Sequence, residues 1–225
     1  MKRLVVFFAA VIGAVCFVGC DWDSGANSGG GEGNNNCTSV GTCKQTRIDG
    51  KVWMAENLNI ETADSWCYDN SPSGCAKYGR LYTWSAAMSA CPAGWHLPSR
   101  DEWGALAIAA GGTGTYGAGG TGAVKLKSTG DWYNYENETE EYGGGTDEYG
   151  FAALPGGGRS FATLPDGRRY SYSGFSTGYY GHWWTATEYG DGHYAYIRSM
   201  LYFSDGVLEY YFDRGHAFSV RCVRN

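Results

Sequence analysis

Histidine is scarce in this chain of 225 residues, and the four that occur, His96, His182, His193 and His216, fall at no spacing that metal ligation uses. No G-x-S-x-G nucleophile motif is present. Basic residues are the minority charge, 17 Lys and Arg against 23 Asp and Glu, which argues against nucleic acid or an anionic surface as a partner. After residue 18 there is no apolar run of bilayer length, so no transmembrane helix is expected in the rest of the chain. These absences leave metal chemistry, serine-type catalysis and nucleic-acid binding without support.

What is present begins with an address. In "MKRLVVFFAAVIGAVCFVGC", Lys2 and Arg3 precede an apolar run from Leu4 to Val18, followed by Gly19 and Cys20. A charged start and an apolar stretch too short for a comfortable membrane span read as a leader. "FVGC" resembles a bacterial lipobox, so residues 1–19 are expected to be a lipoprotein signal peptide and Cys20 the acylated new N-terminus. The alternative is an ordinary secretory signal that leaves Cys20 free. Cys16 is a poorer acceptor because Val15 is not small. Stable anchoring takes more than one acyl chain, which diacyl or triacyl modification supplies. The following "DWDSGANSGGGEGNNN" has too few apolar groups to offset its ordering entropy, so residues 20–44 are assigned as a flexible tether. The expected place is the cell envelope, exported and lipid-anchored, at the outer membrane or cell surface.

The remainder is one domain's worth of chain and long enough for a real core. Loss of Lys2 and Arg3 with the leader leaves 15 basic residues against 23 acidic ones, a net charge near −8. Of the eight cysteines, Cys37, Cys43, Cys67, Cys75, Cys91 and Cys222 remain after Cys16 and Cys20 are set aside. An even number in an exported chain favours disulfides, although six cysteines permit fifteen pairings and composition does not choose among them. Sequence proximity suggests Cys37 with Cys43 and Cys67 with Cys75, leaving Cys91 for Cys222. A zinc site is the rival reading, which the cysteine spacings and scattered histidines support poorly.

Two helices are legible. In "LYTWSAAMSAC", Leu81, Trp84, Met88 and Cys91 fall at helical spacing, and Pro92 and Gly94 end the element. The second starts at Ser99 with Glu102 as a capping box, buries Trp103, Leu106, Ala107 and Ala110, and stops at Gly111 and Gly112. Beyond residue 111 the 36 glycines, about twice the usual share, crowd in among short β-like runs. Strand candidates are "KVWMAENLNI", "FAALP", "GHWWTATE", "YAYIRSMLYF", "VLEYYF" and "FSVRCV", with Asp205 and Gly206 as a hairpin signal. Helices followed by a hairpin-rich antiparallel sheet predict an α+β domain over residues 45–225, with no second domain.

The stretches "VWMAENLN", "YGRLYTWSAAMSACPAGWHLPSRDEWGAL", "HWWTATE" and "SVRCVRN" resemble the Fibrobacter succinogenes major paralogous domain, over roughly residues 45 to 224. That family is similar in turn to the C-type lectin-like fold and to the formylglycine-generating enzyme group, whose "RLPTEAEW"-type helix start is echoed by "HLPSRDEW". The resemblance implies two helices with a twisted antiparallel sheet and long Gly-rich loops. It implies that the N- and C-terminal strands pair, that Cys91 bonds Cys222, and that the region from about 111 to 180 replaces the long ligand-binding loop.

Three candidate chemistries remain. "GTGTYG" and "GAGGTG", over residues 112–122, match G-x-G-x-x-G, but a helix ends at them instead of starting there, so a flexible loop is expected, not a nucleotide site. Oxidase chemistry of the formylglycine type needs a free late cysteine pair, and Cys222 is the only late cysteine. Calcium would find Asp131, Glu136, Glu138, Glu140, Glu141, Asp147 and Glu148, yet the Glu-Pro-Asn and Gln-Pro-Asp tripeptides of calcium-dependent C-type lectins are absent, so a solvated acidic loop is expected and no cofactor is assigned.

The aromatics carry the best functional signal. Sixteen Phe, Tyr and Trp residues lie between Tyr170 and Phe218. Strand alternation sends neighbours to opposite faces, so one of Trp183 and Trp184 is expected to show its ring to a partner, and likewise one of Tyr210 and Tyr211. Trp183, Trp184, Tyr189, Tyr194 and Tyr196 are the candidate ligand-binding residues. The expected function is a non-catalytic binding or adhesion module for polysaccharide or glycan; the alternative is a protein-interaction or structural unit of the envelope.

Overall fold

A computed structural model describes residues 43–133, 142–163 and 169–225. The expected leader, Cys20, nearly all of the tether and Cys37 lie outside the described residues, as do Glu136, Glu138, Glu140 and Glu141.

The N- and C-terminal ends of the domain meet first. Strands Gln45–Ile48 and Lys51–Met54 form a hairpin, and Trp53 pairs with Val223 of the short C-terminal strand, whose other side pairs with Trp95–His96. The larger sheet runs in the order Arg169–Phe175, Gly158–Thr163, Ala217–Ser219, Tyr180–Tyr189, Tyr194–Leu201, Leu208–Asp213. Leu81–Thr83 also pairs with Ala217–Ser219. All its pairings are antiparallel except that of Ala217–Ser219 with Tyr180–Tyr189. Among the described residues four α-helices accompany the sheets: α1 Pro72–Tyr78, α2 Trp84–Ala90, α3 Arg100–Ala109 and α4 Gly122–Leu126. The α+β expectation stands, while α1 and α4 were not legible: each buries few residues, Cys75 in α1 and Gly122, Ala123 and Leu126 in α4, too few for an apolar stripe at helical spacing.

Helix α3 starts as its sequence dictates. The Ser99 hydroxyl accepts from the Glu102 N–H while the Glu102 carboxylate accepts from the Ser99 N–H, a complete capping box. Trp103, Leu106, Ala107 and Ala110 are buried as the spacing predicted. Helix α2 departs from its prediction: Leu81–Thr83 is a strand, the Thr83 hydroxyl caps the helix, and the buried stripe runs through Trp84, Ala87 and Ala90. Met88 is 47 % exposed as a result. "FAALP" forms no strand beyond a bridge from Ala153 to Lys127, and the strands Gly158–Thr163 and Arg169–Phe175 lie where an irregular region was expected.

Trp183 and Trp184 correct the strongest sequence inference. Both have no exposed surface. Alternation does send them to opposite faces, but the sheet here is covered on both sides. Trp184 packs with Trp84, Ala87, Ile197 and Phe218, whereas Trp183 packs with Trp103, Leu106, Phe151 and Met200. Each indole N–H is satisfied, Trp184 Nε1 by the Tyr82 carbonyl at 2.8 Å and Trp183 Nε1 by Asn57 Oδ1 at 2.8 Å. Neither ring is available to a ligand.

Asn57 Oδ1 also accepts from the guanidinium of the fully buried Arg221, which further bonds the Phe151 and Ala152 carbonyls. Burial brings Arg221 down to about 9. Next to it, Cys91–Cys222 closes a loop of sequence separation 131, with Cα atoms 6.0 Å apart. By chain-entropy reasoning such a loop contributes about 4 to 5 kcal/mol. Cys67–Cys75 is the second bond, and Cys43 is disulfide-bonded as well.

The glycine-rich stretch after α3 is not a flexible loop. Gly112–Thr113 pairs with Gly119–Gly120 in a small hairpin pressed onto the helix. A Cβ on Gly112 would lie 2.6 Å from the Ala107 carbonyl oxygen, and one on Gly117, at φ +72°, 2.7 Å from the Ala107 Cβ. Glycine is needed there for close approach.

A candidate ligand-binding face

Three strands of the larger sheet end beside one another near residue 190. Tyr189 pairs with Tyr194 across the hairpin, and Tyr196 with Tyr211 of the edge strand Leu208–Asp213. Residues directly opposite in register share a face, so these four tyrosines, separated in sequence, form one surface. Tyr189 stacks on Tyr211 with centroids 3.8 Å apart and planes 10° apart. Tyr196 meets Tyr189 edge-on at 5.2 Å, and Tyr194 meets Tyr211 edge-on at 5.8 Å. Tyr194 is 40 % and Tyr211 49 % exposed, with Tyr189 and Tyr196 intermediate. Contact with Tyr211 holds the Tyr189 phenol above its ordinary value.

The platform has a fixed base. The guanidinium of Arg100 lies between two rings, 3.9 Å from the Tyr116 centroid and 4.2 Å from that of Tyr196. Glu209 binds Arg100 through both oxygens, at 2.6 and 3.0 Å, and also meets Arg198 at 2.8 Å. Arg198 is fully buried and faces Glu209 directly across the strands. Glu209 holds Arg100 above its ordinary value, while burial pulls Arg198 below its own. A bidentate carboxylate with a cation over the ring fixes Tyr196 at little entropic cost to an incoming ligand.

Of the five residues proposed from sequence, the structure brings Tyr189, Tyr194 and Tyr196 together and removes Trp183 and Trp184. Tyr211 joins them. Both Tyr210, at 44 %, and Tyr211 are exposed, not one of the pair, because their strand is at the sheet's edge and both of its faces are open there. Arg100, Tyr116 and Glu209 carried no local signal, since only tertiary folding places them near Tyr196.

Among the described residues no three His, Cys, Asp or Glu side chains group as metal ligands. Asp131 pairs with Lys77, Glu148 with Lys125, and Asp147 Oδ1 accepts from the Ala152 N–H. His96 joins Glu102 to Asn225 near the chain's end. Burial alone would raise the Glu102 carboxyl, but the Lys51 ammonium, the Ser99 N–H and His96 outweigh it and bring it down to about 2. Among the described residues no helix is long and apolar enough to cross a membrane.

These observations define a disulfide-bonded α+β domain with an anchored tyrosine face, consistent with an exported protein. The chain belongs to the Fibrobacter succinogenes major domain family, whose pattern it matches over residues 46–224. No curated protein and no solved structure matches it.

Proposed function

We propose that this domain is a non-catalytic binding module, held at the cell surface by lipids on Cys20, whose ligand is a polysaccharide bound on Tyr189, Tyr194, Tyr196 and Tyr211. The observation that carries this reading is the exposed, stacked tyrosine face clamped by Arg100 and Glu209. Sugar rings present C–H faces that pack on aromatic rings, and the phenol hydroxyls, with Asp213 paired beside Tyr194, take up the sugar hydroxyls. Support for the absence of catalysis comes from the cysteines: Cys43, Cys67, Cys75, Cys91 and Cys222 are all in disulfides, leaving none of them as a reactive thiol. A C-type lectin-like fold is part of the same proposal, supported by the pairing of N- and C-terminal strands and by the Cys91–Cys222 bond.

One observation favours the alternative, a protein-interaction unit. The strand Leu208–Asp213 is at the edge of the sheet, with exposed rings on both faces, and edge strands are ready templates for partner chains. Pull-down on a panel of soluble and insoluble polysaccharides, with and without calcium, separates the two. Saturable binding that Tyr194→Ala weakens at unchanged oligomer size supports the polysaccharide; no binding by the folded protein, with oligomer size altered by Tyr211→Ala, transfers the face to a protein partner.

A further inference from the structure

The tyrosine face carries an acid at each of its ends, and the two acids differ in their partners. Alternation along the edge strand Leu208–Asp213 puts Glu209, Tyr211 and Asp213 on one face. Glu209 is held between Arg100 and Arg198. Asp213 is exposed, directly opposite Tyr194 in register and two residues beyond Tyr211. Its Oδ1 accepts from the Gly215 N–H at 2.7 Å, which orients the carboxylate. Among the described residues it pairs with no cation.

The arginines near it are already committed. Arg100 and Arg198 share Glu209, and Arg214, next to Asp213 in the chain, meets Glu188 at 2.6 Å. No lysine follows Lys127 in the sequence, so none lies on the three strands that carry the face. Asp191, exposed in the turn between Tyr189 and Tyr194, adds a second carboxylate, its Oδ1 accepting from the His193 N–H at 3.2 Å. The rings act in the same sense. Tyr194 and Tyr211, 40 % and 49 % exposed, present ring faces that are negative and attract a cation.

We infer that the ligand of this face is a polysaccharide whose sugars carry free amino groups, such as a polymer of glucosamine. The inference rests on the polysaccharide reading and narrows it. A sugar ring packs on the tyrosines while its protonated amine is taken up by Asp213 and by the faces of Tyr194 and Tyr211. Charge complementarity selects the class. A neutral hydroxyl satisfies the carboxylate but gains nothing from the ring faces, and a uronate or sulfate ester would meet Asp213 and Asp191 with no free arginine to receive it.

The test titrates the full chain with glucosamine and N-acetylglucosamine oligomers of equal length, the same backbone with and without the charge. Calorimetry is run at about pH 6, above the ordinary carboxylate range and below that of an aliphatic amine. The glucosamine oligomer is expected to bind about five- to thirtyfold more tightly, with the margin shrinking as salt rises. Asp213→Asn, which keeps an oxygen for the Gly215 N–H, should cut the margin to about threefold or less and leave the acetylated oligomer's affinity unchanged. Equal binding of the two oligomers, or an unchanged margin in Asp213→Asn, would overturn the inference and leave the polysaccharide reading standing. Binding of neither would overturn both, and a lysine oligomer bound in their place would point to a cationic protein partner.

Discussion

The Tyr180–Tyr189 and Tyr194–Leu201 strands form one hairpin with two different ends. At its base Trp183, Trp184 and Arg198 have no exposed surface, while near its turn Tyr194 is 40 % exposed and stacked tyrosines face solvent. Both ends are equally rich in rings. The difference is cover: α2 lies against the side carrying Trp184 and α3 against the side carrying Trp183, and the cover of α3 ends at Arg100, over Tyr196. Aromatic density therefore marks the hairpin without saying which rings hold the core and which meet a ligand.

The sharpest way to break this comparison is Trp183→Ala, which should cost about 3 to 5 kcal/mol in urea unfolding, from cavity formation and the loss of a donor to Asn57. A loss below about 1 kcal/mol would mean that the base is as open as the tip. Glu209→Gln comes next. It leaves the buried Arg198 charge without its carboxylate and should cost about 1 to 3 kcal/mol, while releasing Arg100 from Tyr196 and weakening polysaccharide binding. Removing a ring at the tip should do the reverse of Trp183→Ala: Tyr194→Ala is expected to change stability by under about 0.5 kcal/mol and affinity by about five- to thirtyfold.

A pH dependence belongs to the base and not to the tip. The folded-state value of His182, about 3, is below the ordinary unfolded value of about 6.5. As pH falls the unfolded chain takes up the proton first, so stability fully present above pH 6.5 declines as pH drops towards 3. Melting temperature against pH should show this slope, and His182→Phe should flatten it between 6.5 and 4.5. Glu102, with its folded value about 2, adds a separate decline from about 4.5 downward that the variant retains.

Much of the architecture was legible because it is locally encoded. The Ser99–Glu102 cap and the Trp103, Leu106, Ala107 and Ala110 stripe need only helical spacing, and the Asp205–Gly206 hairpin needs only turn chemistry between two strands. The failures have a shared cause. Met88 is outside the core because the tertiary pairing of Leu81–Thr83 with Ala217–Ser219 turns the first predicted helical residues into a strand. The glycines after α3 were read as slack, yet their missing side chains let a hairpin approach Ala107, a reason visible only once the helix has a neighbour.

Sequence alone determined the family, the α+β class, the starts and stops of the main helix and the hairpin strands, since each depends on residues close together in the chain. Tertiary structure decided the rest. Whether a ring on a strand is core or surface depends on what lies above it, and Trp184 and Tyr196 differ in just that respect. The clamp of Arg100, Tyr116, Glu209 and Arg198 likewise arises from long-range pairing across the sheet, which sequence spacing does not record.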